Sequence, residues 1–548
     1  MSRKKNRRQR QAPSKVAATP DREAAVLSGM PRWLPEAGLL AVVVGLTLLA
    51  AYPLMTGQLI VTHELVSPLV RMDGIIKYIG DGQLFVRWIP DMSRGYGYPE
   101  FNFYSPLFYY TAALLSVFGF GIISLFNLSN ILYWVLSGIG MYLFSRKYFG
   151  KYGALVSAVA YVYAPYHILD IYVRGAAAEF IAFAVLPYVL WSFNKVVETA
   201  ELRFVAIASL SIAALNFSHN ITMMLFIPLT LVYILFVYYT SNTRNKNILL
   251  MIVGSFALGM ALTAFFWMPA LLEKDFSSTA AYITGYYHYS NHFVHFAQFF
   301  DPGWSFAGSL PGRASDGQEM SYQIGLVHIA LFLAAMAVIP RIYRKARNTG
   351  LVMAFFVFTT LAAMFFSTGA SEPFWNNLPL LQFAQFPWRF LIIVVLSVSF
   401  LAGAISLVLK SETQKIIFAV VAIIALLVFS LPLSKPRGYF ANIPDTPLVA
   451  PEISRDLSVS QFHGRYRHMW TPMWARTNPE SDPVARLSVL QGQVEATENR
   501  INSITYEYVL QVDEEAQFKF NQYYFPGWKL FINGEEVQIQ VGEDGLPV

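Results

Sequence analysis

Apolar runs of about twenty residues, nearly free of charge, recur from one end of this chain to the other. Almost every charged residue falls between two of them. A helix needs about 20 apolar residues to cross the hydrocarbon core of a bilayer. Such runs lie near 37–55, 127–145, 152–168, 176–193, 203–217, 221–240, 248–271, 321–340, 350–367, 389–410 and 414–434. The pattern predicts a polytopic α-helical membrane protein of about eleven spans. A twelfth apolar stretch, 105–122, contains Gly119 and Gly121 and is expected to be re-entrant or interfacial. Composition agrees. Of 548 residues 55% are hydrophobic and only 14% charged, against about a quarter charged in soluble domains.

The net charge of +6 is mostly a tail. Residues 1–35 hold nine Lys/Arg against Asp21 and Glu23, so the rest of the chain carries a net −1. A basic tail of this kind is a topology signal that also touches anionic lipid, and no nucleic-acid face is expected. Further basic clusters follow alternate spans: Arg146/Lys147/Lys151, Lys195/Arg203, Arg244/Lys246, Arg341/Arg344/Lys345/Arg347 and Lys410/Lys415. Short basic loops stay in the cytoplasm. One orientation satisfies all of them: a cytoplasmic tail (1–35), a transmembrane domain (36–435), and an extracytoplasmic domain (436–548). The outer loops are then 56–104 and 272–320, with shorter segments near 165–175, 218–220 and 368–388. No cysteine is present, which excludes disulfides, thiolate nucleophiles and cysteine-ligated zinc.

From Ala485 onward the chain alternates polar and apolar residues, as in Ser503–Leu510, and Asn533-Gly534 separates two such runs. Period 2 with an Asn-Gly turn predicts strands and a hairpin, here taken as a C-terminal β-sandwich. The chain stops at Val548, where a further strand is expected, which reads as a truncation.

The candidate site residues lie in the predicted outer segments. Glu64 follows the first span closely, beside His63. A carboxylate there reaches a lipid head group and could act as general base; it could equally be a solvated loop acid. Arg87 and Arg94 either bind phosphate in bidentate fashion or anchor the interface by snorkelling. Arg174 and Glu179 flank the start of an otherwise uncharged span, where charge is costly and points to function or to a structural ion pair. His219, between Ser218 and Asn220, heads another span; that end can be capped by Ser or bind an anion. Arg389, in Gln385-Phe-Pro-Trp-Arg, either faces an anionic head group or anchors the belt. His288, His292 and His295 are spaced i, i+4, i+7 and would share a helix face as metal ligands; the alternative is an aromatic surface helix.

Arg87-Trp88, Tyr104-Ser-Pro-Leu-Phe-Tyr-Tyr, Tyr172-Val-Arg-Gly-Ala with Glu179, and Gln385-Phe-Pro-Trp-Arg resemble bacterial membrane proteins named for a relation to 6-pyruvoyl-tetrahydropterin synthase. Tyr524-Phe-Pro-Gly-Trp-Lys-Leu-Phe-Ile-Asn-Gly resembles the outer domain of related large membrane proteins. The soluble pterin synthase uses a three-histidine zinc site with a nearby cysteine; this chain has neither the cysteine nor a His-x-His pair, so pterin chemistry is set aside. The layout is also similar to GT-C membrane glycosyltransferases, with a large first outer loop and an acid soon after the first span. That resemblance implies a sugar donor on polyprenyl phosphate and a glycan, lipid or protein acceptor. It places Glu64 as catalytic base, with His63, Arg87, Arg174, Glu179, His219 and Arg389 around phosphate and substrate. No cofactor is certain. A single acid beside His63 is not an Asp-x-Asp, so a divalent metal stays open. The competing expectations are a lipid or polysaccharide transporter, disfavoured by spans with little internal charge beyond Glu179 and His328, and a non-catalytic envelope scaffold.

Overall fold

A computed structural model describes residues 33–64, 67–241, 244–278, 283–309, 319–441, 443–448, 470–475 and 481–548. Nearly all of the predicted basic tail lies outside the described residues.

All eleven apolar runs are helical in part. In chain order the principal helices are α1 (Trp33–Ala50), α2 (Ser67–Gly80), α3 (Leu107–Ser116), α4 (Ile122–Val162), α5 (Ala177–Thr199), α6 (Leu202–Ser218), α7 (Asn220–Thr240), α8 (Lys246–Leu262), α9 (Ala264–Leu272), α10 (Leu326–Lys345), α11 (Arg347–Ser367), α12 (Leu391–Ala402) and α13 (Glu412–Ser430). Seven helices among the described residues are long and apolar enough to cross a bilayer, eight if α8 and α9, bent by 72° at Thr263, form one span. The difference from eleven has local causes. Two expected spans merge in the 41-residue α4, which breaks at Gly150, where φ is +70°. The apolar helices that include Glu36–Ala50 and Leu202–Ser218 are short. The stretch 105–122 yields the ten-residue α3, too short to cross, followed by a turn at Gly119 with φ +78°.

Helix α4 is the hub. It packs against α1, α5, α12 and α13, while α10 and α11 pack on α12. The span Pro387–Leu407, which contains α12, is 89% buried, whereas α13 is left largely to lipid at 22%. Close approach at the hub depends on small residues. A Cβ on Gly153 would collide with Ser406 and the Gly403 carbonyl. Ser157 donates to the Phe400 carbonyl and Ser406 to the Phe149 carbonyl, both at 2.8 Å. Small residues plus interhelical hydrogen bonds are the usual adhesive between helices in lipid, where the hydrophobic effect does not drive association.

The C-terminal β region holds β1 (Leu487–Gln491), β2 (Val494–Asn502), β3 (Thr505–Val512), β4 (Gln517–Phe520), β5 (Leu530–Ile532) and β6 (Glu535–Val537). These pair as three separate antiparallel two-stranded ladders, β1–β4, β2–β3 and β5–β6. The expected Asn-Gly hairpin is there: Asn533 and Gly534 both adopt positive φ, as a type I′ turn requires. Among the described residues no sheet has more than two strands, so the two broad sheets of a sandwich are not seen there. The reason is visible in β2–β3, whose apolar residues Val509, Leu510 and Val512 stay exposed instead of facing a second sheet.

The β region sits on the loop that follows α1. Tyr523 donates its amide to the Tyr96 carbonyl at 2.7 Å, and Arg486 donates to the Gly95 carbonyl at 2.7 Å. Trp88 lies between Phe525 and Trp528. Gly97, at φ +84°, allows this, since any Cβ there would meet the Trp88 ring.

Candidate active site

The site is assembled at helix ends. After α4 the chain makes a short helical turn, Pro165–Leu169, then a π-helical turn, Asp170–Arg174. π-turns inside helical segments are frequent at functional sites. The turn ends at Gly175 (φ +67°), where Thr62 packs against the position a Cβ would take. A helix end leaves carbonyls without partners. Here the loop after α1 supplies them: the His63 amide donates to the Val173 carbonyl at 2.9 Å and the Glu64 amide to the Arg174 carbonyl at 3.0 Å. Glu64 is thereby fixed beside Arg174, although 110 residues separate them in sequence.

Arg174 is the centre of a buried charge cluster. It pairs with Asp170 four residues earlier and with Glu179 at 3.0 Å. Tyr166 donates its hydroxyl to Glu179 at 2.6 Å. The guanidinium lies 4.5 Å above the Trp388 ring, within range of a cation–π contact. Arg389 closes the group, with Nε 3.3 Å from Glu179. Its Nη1 donates to the Ala384 carbonyl at 2.8 Å and to Gln385 at 3.1 Å. Gln385 is buried at φ +63°. A non-glycine residue in the left-handed region stores strain of the kind that gathers at functional sites. Two carboxylates and two guanidiniums balance in charge. Asp170 Oδ2 is buried without a hydrogen-bond partner. Burial raises the Asp170 carboxyl well above its ordinary value, with Arg174 working against it.

A second buried pair stands beside Glu64. Arg71, on α2, donates to Glu100 at 2.5 Å and reaches Glu64 at 3.4 Å. Its guanidinium sits 4.0 Å over the Tyr104 ring. Burial raises the Glu100 carboxyl above its ordinary value, opposed by Arg71. Burial also pushes the Tyr104 hydroxyl up to about 12, so it stays protonated. Among these acids the side chains of Asp170, Glu179 and Glu100 are 0%, 1% and 2% exposed, and Glu64 is 37% exposed.

The structure therefore brings together His63, Glu64, Arg174, Glu179 and Arg389. His63 Nε2 meets the Phe306 carbonyl at 3.0 Å, which joins the second large loop to the first. His219 is itself the N-cap of α7, bonded to Thr222 at 2.7 Å, and lies in the electrostatic field of Glu179 and Arg389. Arg87 is engaged elsewhere, with Asn102 at 2.5 Å and Glu273 at 2.7 Å. Arg94 pairs with Asp482 at 3.6 Å.

The histidine face does not form. His292 ends a short 3₁₀ turn that His288 caps, and His295 caps another. Aromatic packing against Trp375 and Phe386 shapes this segment in place of an α-helical repeat. His292 is already bonded through both ring nitrogens, to Ser309 and to the Tyr286 carbonyl. Among the described residues no group of three or more His, Asp or Glu could hold a metal ion.

Sequence reasoning missed Arg71, Glu100 and Asp170. Asp170 did carry a signal, standing four residues before Arg174 in an otherwise apolar stretch. Arg71 and Glu100 carried none, since each is an ordinary loop charge until the fold buries it.

The family profile described as "6-pyruvoyl-tetrahydropterin synthase related domain; membrane protein" matches residues 101–436, which hold Arg174, Glu179, His219 and Arg389. The chain belongs to this family. As a member of the pterin-synthase-related membrane family it is also similar to an uncharacterized protein of Lactococcus lactis subsp. cremoris (strain MG1363), 25% identical over 245 residues, 42% of this chain and 39% of that protein. Among solved structures it is similar to the arabinofuranosyltransferase AftD from Mycobacteria, with TM-score 0.46, 17% identity, and coverage of 74% of this chain and 27% of AftD. It is similar to the Archaeoglobus fulgidus oligosaccharyltransferase, with TM-score 0.44, 12% identity, and coverage of 75% and 57%. It is similar to ArnT from Cupriavidus metallidurans bound to undecaprenyl phosphate, with TM-score 0.43, 15% identity, and coverage of 77% and 69%. The chain thus spans well under half of the Lactococcus relative and about a quarter of AftD.

Proposed function

We infer that this protein is a membrane glycosyltransferase that moves a sugar from a polyprenyl-phosphate donor to a hydroxyl acceptor at the outer face of the membrane. One observation carries the reading: of the acids gathered with Arg174 and Arg389, Glu64 alone is open to an incoming substrate, and its backbone is bonded to Arg174. A general base must hydrogen-bond the proton it removes, which the enclosed Asp170, Glu179 and Glu100 have no room to do.

In the step, Glu64 takes the proton of the acceptor hydroxyl. The oxygen attacks the anomeric carbon from the side opposite the phosphate, and a new glycosidic bond forms with inversion. The bond from the anomeric carbon to the phosphate oxygen breaks, and the phosphate leaves with the electron pair. Arg174 and Arg389 lie where donors can meet that developing charge. Asp170 and Glu179 hold them in place. Arg71 orients Glu64, and His63 and His219 flank the space. The basic ends of the helices face the cytoplasm, and the β region, packed on the first outer loop, positions the acceptor.

The test is transfer of labelled sugar by purified protein in detergent, using polyprenyl-phosphate-linked donors and envelope lipid extracts. Glu64→Gln should reduce transfer by about a hundredfold or more while leaving expression and unfolding temperature unchanged. Equal transfer by the variant would overturn Glu64 as base. No transfer by the wild-type protein with any such donor would overturn the reaction.

A further inference from the structure

After α13 the chain turns back onto the segment that carries Glu64. Residues 438–440 run antiparallel to residues 59–61, which directly precede Thr62, His63 and Glu64. The Phe440 amide donates to the Leu59 carbonyl at 2.8 Å and the Val61 amide to the Gly438 carbonyl at 2.9 Å. These two bonds flank Ile60 and Tyr439, which therefore face each other as a non-hydrogen-bonded pair. Ile60 is buried, and the Tyr439 hydroxyl donates to the Pro53 carbonyl at 3.4 Å. The segment 59–64 is thus held twice along its length. This strap takes residues 59 and 61, and the π-turn takes the amides of His63 and Glu64.

The strap has its own anchor, at the first turn of α4. The amides of a first turn have no partner within their helix. Asp445 supplies one: its Oδ1 accepts from the Ile123 amide at 2.7 Å and from the Ser124 amide at 3.2 Å. Beside it the Ile122 amide donates to the Thr446 carbonyl at 2.6 Å. A carboxylate at this end also meets the positive pole of the helix. The fit is close, since a Cβ on Gly121 would collide with Asp445. Helix α4 therefore carries both holders of the segment, the strap at its start and the π-turn beyond its end.

Glu64 needs such a hold. Its side chain is 37% exposed and Arg71 reaches it only at 3.4 Å, so the backbone sets where the carboxylate stands. A base must come within hydrogen-bond reach of the proton it removes, and a shift of about 1 Å can cost about a hundredfold in rate. We propose that the strap is the positioning device for Glu64, with Tyr439 setting the segment that carries the carboxylate and Asp445 setting the strap. The hold on the segment stands on the hydrogen bonds alone. Its service to catalysis rests on Glu64 being the base, as inferred above.

The chain has no cysteine, so Ile60→Cys with Tyr439→Cys introduces two thiols and no others. Facing residues of this kind have Cα atoms about 4.5 Å apart, within reach of a disulfide. The full chain in detergent is followed by sugar transfer and, independently, by amide hydrogen exchange in peptides covering 59–64. Asp445→Ala should speed that exchange about tenfold and lower kcat about tenfold or more, with KM for the donor unchanged. Asp445→Asn keeps an oxygen for the helix amides and should lose less. Adding the oxidised cysteine pair to Asp445→Ala should restore slow exchange and kcat together, and dithiothreitol should undo both. A contact that only stabilised the fold would not give a loss confined to kcat and reversed by that lock. Unchanged exchange in both Asp445 variants would overturn the strap. Faster exchange with kcat unchanged, or a kcat loss that the disulfide leaves in place, would overturn its part in positioning Glu64. If the wild-type protein transfers no sugar, the glycosyltransferase reading fails; the hold on the segment then stands if exchange quickens and the disulfide reverses it, and falls if not.

Discussion

The two ends of the helical bundle use the same residue types for opposite purposes. At one end Arg146 pairs with Glu36 at 2.7 Å, Lys147 with Glu198 at 2.6 Å, and Lys151 with Glu412 at 3.9 Å, all between about a quarter and a half exposed. At the other end Asp170 and Glu179 are enclosed, and their partners Arg174 and Arg389, packed among Tyr166, Trp388 and the backbone, keep only 9% and 11% of their side-chain surface exposed. Exposed pairs contribute about 0–1 kcal/mol. Buried charges incur a desolvation cost that ion pairing only roughly offsets. A fold keeps such a group where its chemistry is used, or where it holds one conformation. The contrast teaches that position relative to water, not residue identity, separates an anchoring charge from a working one.

Several measurements would break or sharpen that contrast. The largest effect is expected for Glu179→Ala, which strips two buried guanidiniums of a shared carboxylate. It should cost about 3–5 kcal/mol in unfolding free energy measured in detergent. Replacing Glu179 and Arg174 together by Met leaves Asp170 facing Arg389 and should recover a good part of the loss. A small effect of Glu179→Ala would mean that the cluster is wetter than its burial indicates. Gly175→Val comes next. A β-branched residue at φ +67°, pressed on Thr62, should cost about 1–3 kcal/mol and loosen Glu64 from the Arg174 carbonyl. Sugar transfer should then fall together with stability.

The pH dependence tests the second buried pair. Burial raises the folded value of Glu100 above its unfolded value. The stability linked to it is therefore full below the ordinary carboxylate range and is lost as pH rises through the raised value. Unfolding temperature followed upward from about pH 4.5 should decline with a component that Glu100→Gln removes. An unchanged slope in the variant would show that Arg71 fully compensates the buried charge. The smallest effect belongs to the exposed end. Arg146→Ala should change stability by no more than about 1 kcal/mol, and less in high salt; a loss as large as that of Glu179→Ala would erase the distinction between the two ends.

How much was legible in advance differs by element. The helices were, because a run such as Leu391–Ala402 has no other way to satisfy its backbone in lipid. The Asn533-Gly534 hairpin was, because its φ requirement is local. Arg174 and Glu179 stood out as charges in an apolar stretch, and Arg389 behind an aromatic motif. The sandwich went beyond what the residues specify, since period 2 specifies strands but not which strands pair. The helical face of His288, His292 and His295 was overread too, since spacing alone cannot say whether the backbone is α-helical there.

Membership of the membrane class, the order of the helices and the presence of a β tail followed from the residues alone, because hydrophobicity and turn chemistry act over a few positions at a time. That Glu64 lies against Arg174, that Arg71 and Glu100 are enclosed beside it, and that Arg87 pairs with Glu273 instead were settled only by the tertiary structure. Those facts depend on which helix ends meet. Helix packing in a bilayer is governed by small-residue contacts and buried hydrogen bonds between segments far apart in the chain, and no local pattern encodes them.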